Sequence, residues 1–228
     1  MQDPFDIDPI HDVPDPLAGL SDWPVPPRRG AVLADSPTRS GVATIRATAL
    51  GAALLYEIAW VVIMSKREDL HTMPRTLLMT ELAIPVVAAL VALAAAAPGA
   101  HGMGQPKRRL MTLVLLAPAL FVAATVVASP ADADPSPFVR HALECFAWTA
   151  LYSAGPLALA AWAFRRSFAA APAWRGAALG MACGAIGAAT MSVVCSVGSA
   201  GHVVAGHGGM ILVGALGGAW LGNRSGRA

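Results

Sequence analysis

Six apolar stretches, each close to the length of a membrane span, alternate with short polar segments along most of the chain: about 47–64, 76–97, 110–129, 141–164, 174–195 and 202–222. A hydrocarbon core about 30 Å thick takes roughly 20 helical residues to cross, and a helix satisfies its own backbone there. The pattern therefore predicts an all-α fold, a polytopic membrane bundle of six transmembrane helices over residues 44–224. Residues 1–43 break the pattern. They hold eight prolines and seven aspartates, which exclude a packed core or a long helix. This amino-terminal tail is expected to stay disordered until it binds something.

Charge gives the pattern a direction. Arg28, Arg29, Arg39 and Arg46 precede the first stretch, and Lys107, Arg108 and Arg109 follow the second. Arg165, Arg166 and Arg175 follow the fourth, and Arg224 and Arg227 the last. With six spans these segments share one side and carry 12 of the 16 basic residues, leaving Lys66, Arg67, Arg75 and Arg140 on the other. The positive-inside rule then puts both termini in the cytoplasm. Composition agrees with a membrane protein: 56% of residues are apolar and 13% charged, against roughly 25% charged in soluble domains. The chain opens with MQDPFDIDP rather than a basic and then apolar leader, so the first span is expected to act as an uncleaved targeting signal.

Polar groups inside apolar stretches need a reason, because a charge at the bilayer centre costs roughly 2.5–3.5 kcal/mol even on the lenient scale. Glu57, Glu81 and Glu144 are three such groups. They are read either as protonated or hydrogen-bonded to neighbouring helices, or as members of one shared polar pocket. Gly176, Gly180 and Gly184 in the fifth stretch, and Gly214, Gly218 and Gly222 in the sixth, mark faces on which two backbones can approach closely. His141 and Cys145 are four residues apart and so share a helix face. Cys195 ends the fifth stretch, and His202 and His207 begin the sixth. Thiol and imidazole are ligands for copper or zinc, and two thiols on an oxidising face can also form a disulfide. The spacing matches no closed zinc motif. Cys183, deep among alanines and glycines, reads as packing.

The segment from Cys145 to Arg224 resembles the NrsF-type family of six-helix bacterial anti-sigma factors. The likeness rests on a cysteine early in the fourth span and on Phe164-Arg165-Arg166 at its end. It continues with a glycine-rich fifth span closing at Cys195, and with His202 and His207 ahead of a glycine-rich last span. Together with the six-span layout it extends over about residues 45–224. The resemblance implies an inner-membrane protein that holds an extracytoplasmic-function sigma factor and releases it on a periplasmic metal or redox signal. It also implies that Cys145, Cys195, His202 and His207 sense that signal, with His141 as a further candidate metal ligand. No cofactor is assigned; the thiol and imidazole donors make a transition metal such as copper or zinc the candidate. Acidic and apolar residues alternate in the tail in the manner of segments that fold on a partner. Phe5, Asp6, Asp12, Leu17, Leu20 and Trp23 are thus candidate contacts to the basic surface of a sigma factor.

The expected partners are that sigma factor and membrane lipid, with no direct contact to nucleic acid. No recognisable catalytic motif is present, so the chain is not expected to be an enzyme. The alternative class is a small membrane transporter, or a membrane redox or metal-binding protein. Against transport, the intramembrane acids all fall in one half of the bilayer, where a through-path would need them in both.

Overall fold

The computed structural model describes residues 39–64, 67, 75–96, 105–129, 138–164 and 171–225. Residues 1–38, with all six candidate sigma contacts, lie outside the described residues, and the last five residues of the expected tail, 39–43, are helical in α1. Six helical rods make up the described part. α1 is Arg39–Ile63, α3 is Lys107–Ala128, α4 is Phe138–Phe164 and α5 is Pro172–Val194. The other two rods are interrupted. α2 runs Arg75–Leu78, then a π-helical turn Met79–Ala83, then Ile84–Ala96. α6 runs Ala200–His202, a π-helical turn Val203–Gly208, then Gly209–Ser225.

Five of the six rods are long and apolar enough to cross a membrane: α1, α2, α3, α5 and α6. α4 has the length, at 27 residues, but not the apolar composition. The cause is where its polar side chains point. Thr149, Tyr152 and Ser153 are at most 1% exposed, so they face protein while Leu143, Trp148, Leu151 and Trp162 face outward.

α5 is the hub. In its most apolar window 83% of residues are buried inside the protein, against 17% for α1 and 22% for α3. Every other rod packs on it. Small residues make this possible. A Cβ on Gly176 or Gly180 would run into the carbonyl oxygen of Gly218 or Gly214, and the reverse holds for Gly218 and Gly214. The two backbones therefore lie in direct contact, the arrangement that small-residue faces permit in the absence of a hydrophobic drive between helices. Around this pair, Leu110, Phe121, Met181 and Ile211 fill the core.

The acids do not share a pocket. Glu57 on α1 accepts a hydrogen bond from Thr190 on α5. Glu81, in the π turn of α2, pairs with Arg67 at 3.2 Å, and both side chains are at most 2% exposed. Glu144 is exposed on α4.

Candidate functional site

The short connection between α5 and α6 builds the site. α5 ends at Val194, and Cys195 follows in an extended conformation, its N–H donating back to Met191 at 2.8 Å. Four residues later Ser199 stands at the start of α6 and accepts from Val203 N–H at 3.0 Å. So tight a connection returns the chain beside Cys195, and the first turns of α6 carry both histidines.

In a regular α-helix His202 and His207 would point about 140° apart, because five residues turn through about 500°. The π turn removes that difference, since its i→i+5 hydrogen bonds bring the fifth residue over the first. The two rings meet edge to face with centroids 5.4 Å apart. Both side chains are buried, His202 at 1% exposure and His207 at 0%.

Cys145 arrives from α4. Thr149, one turn on, shares its hydroxyl proton between the carbonyl of Cys145 at 2.7 Å and the carbonyl of Gly206 at 3.1 Å, which ties α4 to the π turn. Gly206 allows the approach, because a Cβ there would lie 3.2 Å from Cys145 Cβ. The Cys145 and Cys195 sulfurs are 3.5 Å apart, and both cysteines are free thiols. Cys195 Sγ lies 3.3 Å from His202 Nε2. The ligand atoms of Cys145, Cys195, His202 and His207 all fall within 4.8 Å of one another. A tetrahedral ion at about 2.3 Å from sulfur and about 2.0–2.1 Å from nitrogen would space its ligand atoms at about 3.3–3.8 Å, so a small contraction of this set closes on one.

The hydrogen bonds around His207 prepare it for such a role. Ser192 Oγ donates its one proton to the carbonyl of Ala188 at 3.0 Å. Its contact with His207 Nδ1 at 3.2 Å must then be one in which the ring nitrogen donates. That assigns the proton to Nδ1 and leaves a lone pair on Nε2, a buried atom with no hydrogen-bond partner. A ligating histidine held by its other nitrogen is the usual arrangement in metal sites. Cys195 is prepared too. The hydrogen bond from Cys145 holds its thiol below the ordinary range, helped by the nearby His202 and His207 rings, against the opposing effect of burial. This favours the thiolate, the form that binds metal and attacks oxidants. Tyr152 and Met191 cluster with Cys195, and Trp60, Met64 and Cys145 pack against that group.

His141 is exposed and stands outside this group. Cys183 is buried in α5 with no place in it. Sequence reasoning missed three contributors: Ser192, which orients His207, and Arg67 with Glu81, which hold the loop around Cys195. Two of them did carry a signal. Glu81 is an acid inside an apolar stretch, and Arg67 is one of the four basic residues on the charge-poor side.

A family model described as negative regulator of sigma F, NrsF, matches residues 33–227 and so takes in all six rods and the whole cluster. The match begins after the six candidate tail contacts. No curated protein and no solved structure matches the chain.

Proposed function

This chain belongs to the NrsF family of negative regulators of sigma F, and from that premise we propose a six-span anti-sigma factor of the bacterial inner membrane. In this reading α4 is the sixth span. Its 27 residues would extend about 40 Å, and its Thr149, Tyr152 and Ser153 side chains are spent against protein rather than lipid. The distribution of basic residues supports cytoplasmic termini, which puts the Cys/His cluster at the periplasmic face. A periplasm-dependent reporter fused after Arg227 should be silent, and one fused near Asp132 active; the reverse would overturn the orientation.

The sigma factor in this proposal is of the extracytoplasmic-function type, held by residues 1–27. The six aspartates there would meet a basic surface, while Phe5, Leu17, Leu20 and Trp23 supply apolar contact. Deleting residues 1–27 should raise transcription from the sigma factor's promoters. Unchanged repression would move the binding surface to Lys107, Arg108 and Arg109 or to the carboxyl end.

The cluster is the responsive element of the proposal, and the observation that carries it is the convergence of four ligand atoms from α4, the α5–α6 connection and α6. A copper or zinc ion held there would supply a cross-link among those elements. The chain's part is to present one thiolate and one oriented imidazole, to exclude water, and to give the remaining thiol and imidazole room to close. The 3.5 Å between the sulfurs also favours an oxidative signal through the same residues. There the two thiols would give two protons and two electrons to a peroxide, which leaves as water, and one S–S bond of about 2.05 Å would form. Either event biases α4 against the α5–α6 pair. Cys145→Ser or Cys195→Ser should abolish induction by metals and oxidants, and induction that survives both would reject the cluster as sensor. No catalytic turnover is assigned to it.

A further inference from the structure

We propose that Arg67 is the positioning residue of the cluster: neutralised by Glu81, its guanidinium fixes the turn that carries Cys195 and fastens that turn to α1 and α2. The contacts bracket the cysteine. Arg67 N–H donates to the carbonyl of Val193 at 3.1 Å. Its Nη1 donates to Glu81 Oε2 at 3.2 Å and to the carbonyl of Ser192 at 3.4 Å, and its Nη2 to the carbonyl of Ser196 at 3.5 Å.

Ser192 and Val193 belong to the last turn of α5, whose carbonyls have no acceptor role left within the helix. A cation there also suits the negative end of the helix dipole. Ser196 lies on the far side of Cys195. One side chain thus spans the helix end and the first step of the connection, with the cysteine between them. The planar fork of an arginine spreads its donors over two nitrogens, so that Nη1 meets Glu81 and Ser192 while Nη2 reaches Ser196; a lysine ammonium would have to make all three from one nitrogen. Ser192 adds weight to the arrangement, since its carbonyl is held by Arg67 while its hydroxyl orients His207. The clamp therefore bears on two of the four cluster residues.

Arg67 follows Met64, the end of the described α1 segment, by three positions, and Met64 packs against the cluster of Tyr152, Met191 and Cys195. Through Arg67 the sensing turn is joined to α1, which continues in sequence into the amino-terminal tail. The inference extends the proposed function and rests on the cluster being the responsive site. Its test reads thiol geometry alone, with no sigma factor present.

The full-length protein in membranes, in a Cys183→Ser background, is treated with diamide. Diamide takes up the two protons and two electrons of Cys145 and Cys195 as their disulfide forms. The rate of that cross-link is the readout. Arg67→Gln and Glu81→Gln should each slow it about tenfold, as expected when reacting atoms lose their alignment by a fraction of an ångström. Glu57→Gln removes a different buried contact onto α5 and should leave the rate within about twofold, as expected for a site with no shared partner. Arg67→Lys keeps the charge opposite Glu81 and loses the fork, so it should slow the reaction about threefold and carries the test if the glutamine variants do not accumulate. An Arg67→Lys protein with the parental rate, or a Glu57→Gln protein slowed as much as Glu81→Gln, would overturn the proposal. Cross-linking slowed as expected, alongside unaltered induction of the sigma factor's promoters by the same variants in cells, would count against the sensor assignment and leave the positioning role standing.

Discussion

The pair α5 and α6 meets in two very different ways along its length. Through most of the contact, glycines on both helices press backbone against backbone. At the end where the chain turns from one helix to the other, the same pair encloses two imidazoles and a thiol, joined by a second thiol from α4. The first region is finished: an added atom has nowhere to go. The second is tight but chemically incomplete, because His207 Nε2 and His202 Nδ1 are buried without hydrogen-bond partners. Proteins rarely leave such atoms unexplained. The contrast teaches that one helix pair can serve as a fixed axle at one end and a receptive jaw at the other, with the difference written in side chains alone.

The glycine contact should be the more fragile to enlargement. Gly180→Ala would put a methyl into the carbonyl of Gly214 and should cost about 3 kcal/mol, the upper end for overpacking, read as a drop in thermal stability in detergent. If the variant kept its stability, the backbones would not be in contact and the comparison would fail. Next in size, Cys195→Ser should weaken zinc or copper binding at least about 100-fold in a chelator competition, with a smaller effect on stability, because a hydroxyl replaces the thiolate with only a slight loss of volume. Ser192→Ala touches no proposed ligand atom. It should weaken the same binding about tenfold by releasing the His207 tautomer, which separates an oriented jaw from a merely crowded one. The smallest effect is expected at Gly217, where a Cβ meets nothing within 4 Å. Gly217→Ala should be neutral or stabilise by up to about 1 kcal/mol, sharpening the claim that position, not glycine content, fixes the contact.

Much of this was legible in the chain. The apolar stretches anticipate the six rods to within a few residues apart from α1, which begins at Arg39 rather than near residue 47. The glycine faces are found where their four-residue spacing puts them. Cys145, Cys195, His202 and His207 could be nominated together because they cluster at the ends of neighbouring stretches. What could not be read is the geometry that makes them one site. Hydrophobic periodicity carries no mark of a π turn, and a regular helix would have separated the histidines. The Arg67–Glu81 pair was hidden for a different reason: each residue was visible as an exception, but nothing local couples positions 14 apart. α4 shows a third kind of limit. Its polar residues lower the hydropathy of the stretch, and only the fold reveals that Thr149, Tyr152 and Ser153 face inward.

The π turn in α6 has a consequence for how such a site would be spelled in a gene. A wide turn of this kind accommodates one residue more than an α turn while keeping the helix on either side in register. Removing Ala205 should therefore convert Val203–Gly208 to ordinary α-helix and leave the two imidazoles four apart, still on one face. A pattern search that demands His-x4-His would pass over that shorter chain, and one that demands His-x3-His passes over this one. The two spellings describe the same pair of ligands, and the insertion or deletion of a single codon interconverts them.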